Sequence, residues 1–447
     1  MTSARAWLLL LLLAILQIGL AVRFVDVMPW RKQGISNGKI LGDISAPDER
    51  AHANLLGFLL RNEPIPPLRV DDPKLSENYE VHQAPLYYHA TATLLKAAGH
   101  TDIEAEATGR AARLINVGFG VLNTIALFCL GLYGFGSRTL ALGAAALFAF
   151  LPMWLSVTAS VNNDALLCAL INASLAAGAT AHRLRSLPLW IVAGVLAGLA
   201  VWTKTSGILL LPALVLMGLI PPTREPGLRV RAGGVLALTI GLAIATPLLL
   251  KNQRLYGDAL GQKTFNQAFK SQAKAKPPTR GLMQMQSFLI QLDHETQESA
   301  FGVFGYFDIR YQTDPWAWGF IWLWLMAGLG SIRLFWSPAR GPTLGLLLLF
   351  TLVLAGYIAF NVIYRQPQGR YLFPGIALLM LGAAEGCRIT WRPLLPAMAL
   401  LLAYWSFKTP PYIAPEYKKR MDTYELYLRQ TVNVNQDGGG IVAPPIK

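Results

Sequence analysis

The 447-residue chain is 53% apolar and only 14% charged, with a positive mean hydropathy; a soluble chain would carry about 25% charged residues. That balance excludes an ordinary water-soluble enzyme. The net charge of +14 does not make it a nucleic-acid binder, because the basic residues sit mostly beside apolar runs, where anionic lipid headgroups are the nearer partner.

In chain order, the first apolar run, 7–22, follows Arg5 and reaches Arg23 with no clear small-x-small cleavage site, so it reads as an uncleaved first membrane helix rather than a signal peptide. A polar segment, 23–108, comes next. Further apolar runs fall near 110–132, 139–159, 165–181, 188–203, 206–220, 233–250, 316–335, 343–363, 371–386 and 394–406. The expected fold is all-α, a polytopic transmembrane bundle of about eleven spans. It comprises a domain over 1–406 with outer loops 23–108 and 251–315, followed by a short tail, 407–447. The runs on either side of Lys204 also fit broken half-helices. Cys129 and Cys168 lie within spans and Cys387 at the end of one, so no disulfide framework is expected.

Lys/Arg bias orients the bundle. With the N-terminus cytoplasmic, the inner loops hold Arg138, Arg183, Arg185, Arg224, Arg229, Arg231, Arg333, Arg340, Arg388 and Arg392, opposed only by Glu225. Asp43, Asp48, Glu49, Asp71, Asp72, Glu77, Glu80, Asp164 and Lys204 then share the outer face, as does the basic run Lys263, Lys270, Lys274, Lys276 and Arg280.

The first outer loop contains Pro47-Asp48-Glu49-Arg50-Ala51-His52. Pro47 suits a first helical turn, and carboxylates there are favoured by the helix dipole. The same spacing puts Asp48 and His52 on one helix face, the geometry a proton-abstracting carboxylate needs. A Glu-x-x-His pair also invites a metal reading, but the pattern has no second copy and no transition-metal site is assigned. Leu55, Leu56, Leu59 and Leu60 give this helix, 47–60, an apolar side. Downstream, His82-Gln83-Ala84-Pro85-Leu86-Tyr87-Tyr88 reads either as an interfacial aromatic anchor or as a cleft in which His82 and Gln83 bind hydroxyls.

Asn162-Asn163-Asp164 reads as a helix cap that also supplies a third outer acid. Thr203-Lys204-Thr205 interrupts apolar sequence, and a lysine at membrane depth usually marks a site. Asn252-Gln253-Arg254-Leu255-Tyr256-Gly257-Asp258 adds Arg254 to the same face. Gln368-Gly369-Arg370-Tyr371-Leu372-Phe373-Pro374 places Arg370 and Tyr371 where an apolar run begins; arginine gives always-charged, two-pronged phosphate contacts. No phosphate-binding P-loop, dinucleotide fingerprint or Gly-x-Ser-x-Gly elbow is present, so nucleotide-driven chemistry has no visible apparatus.

The ordered set of an acidic pair, His-Gln-x-Pro-Leu-Tyr-Tyr, Asn-Asn-Asp, Thr-Lys, Tyr-Gly-Asp and Gln-Gly-Arg-Tyr-Leu-Phe-Pro resembles, over roughly 7–390, a bacterial branch of the GT-C membrane glycosyltransferases. That branch stands beside the protein O-mannosyltransferases and the lipid A aminoarabinose transferase. The resemblance implies a polyprenyl-phosphate sugar donor, membrane lipids as surroundings, and a glycan, lipid or protein acceptor. Transfer would be inverting, on the non-cytoplasmic face of a bacterial inner membrane. By position it implies Asp48 as base with Glu49 beside it, and Arg370 and Lys204 holding the donor phosphate; His52, His82, Gln83, Tyr87, Asp164, Arg254 and Tyr371 complete the expected substrate-binding set. No cofactor is assigned, with room left for a divalent cation. A lipid-linked-sugar flippase and a surface-polysaccharide polymerase or ligase are the competing readings.

Overall fold

The computed structural model describes residues 3–222, 227–270, 281–311 and 315–436. Arg224, Glu225, Lys274, Lys276 and Arg280 lie outside them. Helix α1 (Ser3–Val27) leads to a hairpin of β1 (Gly34–Ser36) and β2 (Lys39–Leu41). Asn37 and Gly38 turn this hairpin with φ of 48° and 72°, the paired positive angles that Asn-Gly accepts and most residues resist.

The rest of the first outer loop is α2 (Glu49–Leu60), α3 (Leu75–Asn78), a 3-10 turn (Tyr79–His82) and α4 (Leu86–Ala97). These elements share a small apolar core with Trp30, Leu55, Leu56, Tyr87, Tyr88, Leu95 and Ile103. The core ties the loop to the bundle as a packed cap.

The bundle begins with α5 (Glu106–Cys129), which stays helical to Gly134, followed by α6 (Arg138–Ala149), α7 (Pro152–Thr158), α8 (Asp164–Leu184) and α9 (Leu187–Thr203). A 3-10 turn (Thr205–Leu209) precedes α10 (Leu210–Leu219), then come α11 (Leu228–Tyr256), α12 (Gln262–Ala268) and α13 (Leu282–Phe301). The short pair β3 (Val303–Phe304) and β4 (Ile309–Arg310) follows. Helices α14 (Pro315–Phe335) and α15 (Arg340–Ile363), a 3-10 segment (Gly369–Gly375), α16 (Ala377–Thr390) and α17 (Leu394–Gln436) complete the described chain.

Each predicted apolar run coincides with a helix or a bent helix pair. By length and composition, five described helices suffice to cross a membrane, and seven do if the pairs α6–α7 and 369–375 with α16, bent by 70° and 79°, each count as one span. The helices on either side of Lys204, and 321–335 of α14, are apolar but shorter. Close helix contacts use small residues, as expected where no hydrophobic gain separates helix from lipid. A Cβ on Gly330 of α14 would lie 1.9 Å from the carbonyl oxygen of Gly382 on α16. That approach is open only to glycine.

Two expectations change. The eleventh run, 394–406, is not among the helices apolar enough to span, and it continues without a break into the expected tail as the 43-residue α17. Past 407 that helix packs on both long polar segments: Tyr417 donates to the Ser45 carbonyl (2.7 Å), and Arg420 donates to Asp308 (3.1 Å). Residues 437–447 lie outside the described set. Second, Asp48 is not in the first helical turn but just before it.

Candidate active site

Asp48 adopts φ 67° and ψ −8°, in the left-handed region, and its side chain makes no capping bond. Only its carbonyl serves the helix, accepting from the His52 N–H at 3.0 Å. A non-glycine residue in this region is uncommon, though Asp and Asn tolerate it best. The capping role the sequence allows is therefore not what this carboxylate does.

Instead the carboxylate is aimed at a distant partner. Arg370 donates from Nη2 to Asp48 Oδ2 (2.5 Å), and the Tyr79 hydroxyl donates to Oδ1 (2.7 Å). Arg370 is itself held by Gln368, whose Oε1 accepts from Nε at 2.6 Å, and its guanidinium lies 5.3 Å from the centre of the Tyr371 ring. Burial is the largest single influence and would raise the Asp48 pKa, but the charges of Arg370 and His52 and the hydrogen bonds from Tyr79 and Arg370 together outweigh it and hold the group below its ordinary value. Asp48 retains 26% side-chain exposure against 6% for Arg370, so the acid is the more accessible of the two.

Around this pair stand the other charges. Lys204, in extended backbone between α9 and the following 3-10 turn, donates to Asp164 Oδ1 at the start of α8 (2.6 Å). His52, buried on α2, has Nδ1 2.6 Å from the Tyr88 hydroxyl, and burial lowers its pKa. The charges of Glu80, Asp48, Lys204 and Asp164 all act on His52. Gln83 accepts from Asn163 Nδ2 (3.2 Å), linking the first loop to the α8 start. His82 sits with Nδ1 2.8 Å from the Tyr79 carbonyl oxygen and its ring 5.1 Å from that of Phe265. Burial depresses its pKa to about 4.

Three expected members stand elsewhere. Glu49 points away from Asp48 into the protein. It accepts from Arg113 Nε (2.8 Å) and Nη2 (2.6 Å), from the Val161 N–H (2.8 Å) and from the Ser45 hydroxyl. With both its oxygens engaged and its side chain fully buried, it anchors the loop. Tyr87 is fully buried among Tyr88 and Phe119 as core. Arg254 is exposed near the end of α11, and no hydrogen bond or ion pair joins it to the cluster among the described residues.

Glu80 is the member that motif reading passed over. It is buried, its Oε2 has no hydrogen-bond partner, and burial raises its pKa while His52 and Lys204 oppose the rise. Its spacing from His82 carried no signal, because the 3-10 turn that positions it has no marker in the sequence. Among the described residues no three His, Cys, Asp or Glu side chains are arranged to hold a metal ion; Asp48 and His52 are already engaged by Arg370, Tyr79 and Tyr88.

Beside Arg370 lies an apolar cavity of about 270 Å³ between α13, α14, α15 and α16. Leu292, Phe301, Trp324, Phe350 and Tyr357 line it, as do Gly369, Leu372 and Phe373, which flank the arginine.

Comparison with known proteins adds the following. The family described as dolichyl-phosphate-mannose-protein mannosyltransferase matches residues 93–250. No curated protein matches the sequence. Among solved structures, the Archaeoglobus fulgidus oligosaccharyltransferase complex with Zn and sulfate aligns at TM-score 0.56 and 16% identity, covering 91% of this chain and 53% of that one. ArnT from Cupriavidus metallidurans bound to undecaprenyl phosphate aligns at TM-score 0.55 and 17% identity, covering 90% and 64%. The A. fulgidus enzyme AglB, with an inhibitory peptide and a dolichol-phosphate, aligns at 0.53 and 15%, covering 92% and 56%. The chain thus spans between half and two thirds of the length of these structures. It is a polytopic helical membrane protein that shares its fold with these solved structures and matches, over 93–250, the family described as dolichyl-phosphate-mannose-protein mannosyltransferase.

Proposed function

We propose that the protein transfers a sugar from a polyprenyl-phosphate donor to an acceptor hydroxyl on the non-cytoplasmic face of a bacterial inner membrane, with inversion at the anomeric carbon. The observation that carries this reading is the Asp48–Arg370 pair at the edge of an apolar cavity. A lipid-phosphate sugar needs an anion-binding cation at the lipid side, an apolar channel for the tail and a base at the water side. A carboxylate, a buried arginine and an apolar cavity stand side by side here, which supports that reading.

In the proposed reaction the donor phosphate takes Arg370 from Asp48, and Lys204 adds a second positive charge. Loss of the Arg370 contact weakens the strongest of the influences that lower the Asp48 pKa, so the carboxylate becomes a stronger base as the donor binds. Asp48 then accepts the proton of the acceptor hydroxyl while that oxygen bonds to the anomeric carbon. The bond from that carbon to the phosphate oxygen breaks on the opposite face, and the electron pair leaves with the polyprenyl phosphate. Charge on the leaving phosphate is met by Arg370 and Lys204. Tyr79 orients Asp48, and Glu49 with Arg113 fixes the loop that carries it.

A flippase would be expected to carry ionisable residues near the bilayer midplane. The concentration of Asp48, Asp164, Lys204 and Arg370 at helix ends favours transfer over transport. The test is direct: the purified protein is placed in proteoliposomes with a polyprenyl-phosphate sugar labelled in the sugar and with extracted cell-envelope acceptors. Label moving to the acceptor fraction, with release of polyprenyl phosphate, is the expected result. Label crossing the bilayer while still attached to lipid would replace this reading with the flippase.

A further inference from the structure

The end of the bundle away from Asp48 carries a second site. Helix α8 runs from Asp164, in the cluster above, to Leu184, just past Arg183; its 21 residues separate the two ends by about 30 Å. At the far end the termini of α8, α14 and α16 and the starts of α6 and α15 enclose a pocket of about 530 Å³. Arg183, Arg333 and Arg388 line it together with Glu385, Ser337 and Trp336.

The charges in it do not cancel. Arg388 and Glu385 form a two-pronged pair with both bonds at 2.6 Å, which neutralises the carboxylate. Arg183 and Arg333 are exposed, and neither has a carboxylate partner among the described residues. His182, also at the wall, is occupied by the Ile220 carbonyl at 2.6 Å. Helix α15 opens at the rim without a side-chain cap, and the positive end of its dipole faces there. Trp336, 73% exposed beside the pocket, is the residue type that sits at headgroup depth.

We propose that this pocket binds a phosphate diester, carried by an anionic phospholipid of the adjoining leaflet. Two guanidinium groups with no carboxylate partner among the described residues, over a concave site between membrane helix ends, match a lipid phosphate in charge and in donor chemistry. A scattered excess of basic residues on one membrane face would produce general attraction but no retained lipid. The enclosed volume is what distinguishes the two.

The test uses the full chain in phosphatidylcholine nanodiscs doped with phosphatidylglycerol, with retained lipid counted by native mass spectrometry after detergent extraction. Wild type should retain phosphatidylglycerol. Arg183→Gln with Arg333→Gln should lower that retention by about tenfold or more. Arg229→Gln with Arg392→Gln, which removes equal charge outside the pocket, should leave it unchanged. Equal loss in both pairs would reduce the site to surface charge and overturn the proposal. Should the first pair fail to fold, Arg333→Gln alone carries the same expectation, and unchanged retention in it would be equally contrary. In a parallel arm, inorganic phosphate is titrated onto protein in phosphatidylcholine alone. Saturable phosphate binding lost in the Arg183/Arg333 pair, with no phosphatidylglycerol retained by wild type, would make the ligand a free anion and overturn the lipid assignment.

Discussion

Arg370 Nη2 lies 2.5 Å from Asp48 Oδ2, joining side chains 322 residues apart in sequence. The contact couples the acid of the first outer loop to the cation at the edge of the apolar cavity, so occupancy of one bears on the basicity of the other.

That coupling makes a prediction about pH. With Arg370 in place, Asp48 is held below its ordinary pKa and is ionised throughout the neutral range. Arg370→Gln removes the dominant lowering influence and leaves burial, which raises the pKa. A base must be deprotonated to act, so the acid limb of the rate profile should move to higher pH in this variant. Arg370→Lys, which keeps the charge but loses the planar fork, should raise the apparent KM for donor with a smaller shift of the acid limb. Identical pH–rate profiles for wild type and Arg370→Gln would break the proposed link.

Glu49 belongs to the scaffold. It and Arg113 are both buried, 2.6 Å apart, and removal of one partner of such a pair strands the other charge at a cost of about 3–5 kcal/mol. Glu49→Ala should therefore lower the unfolding temperature in detergent sharply and reduce the yield of folded protein. A variant that unfolds like wild type yet has lost all transfer would instead give Glu49 a chemical role.

His82 predicts a stability change on acidification. Burial lowers its pKa from 6.5 to about 4, so the native state favours the neutral ring. Its contribution is present above the unfolded value of 6.5 and is lost as pH falls through about 4, a difference worth about 3 kcal/mol at ~1.4 kcal/mol per tenfold change in proton affinity. Asp43 acts oppositely. Burial and the charge of Glu49 raise it from 3.8 to about 6, so its contribution is full below 3.8 and is lost as pH rises through about 6. The two overlap, and the comparison of His82→Gln with wild type isolates the first. The unfolding temperature of the variant should fall less than that of wild type between pH 6.5 and pH 4. Parallel curves would show that His82 is not held neutral by the fold.

Much of the bundle was legible because apolar runs and Arg-bearing loops are one-dimensional signals. Arg370 and Lys204 stood out for the same reason, as charges interrupting apolar sequence. The partners of the acids did not. Glu49 meets Arg113 across 64 residues, a relation no local pattern encodes, so adjacency to Asp48 in sequence does not show that the two side chains point apart. Tyr87 and Tyr88 are neighbours on α4, yet Tyr87 is buried as core while the hydroxyl of Tyr88 lies 2.6 Å from His52 Nδ1; helical phase at a loop is set by packing that sequence spacing does not reveal. Asn37-Gly38 was a readable hairpin signal in a loop expected to be helical. The C-terminal helix was lost in the sequence because Pro410, Pro411 and Pro415 argue locally for an end that tertiary contacts of Tyr417 and Arg420 override.

The central claim is that the Asp48 carboxylate is the base. Asp48→Asn is the variant to use, because Asn also accepts the left-handed backbone at this position, keeps an oxygen for the Tyr79 hydroxyl and differs mainly in lacking charge and basicity. Sugar transfer from a polyprenyl-phosphate donor is measured in proteoliposomes at matched amounts of folded protein. The account predicts loss of turnover per folded molecule by at least about a hundredfold, the range of a general base. Turnover close to wild type in Asp48→Asn would contradict it.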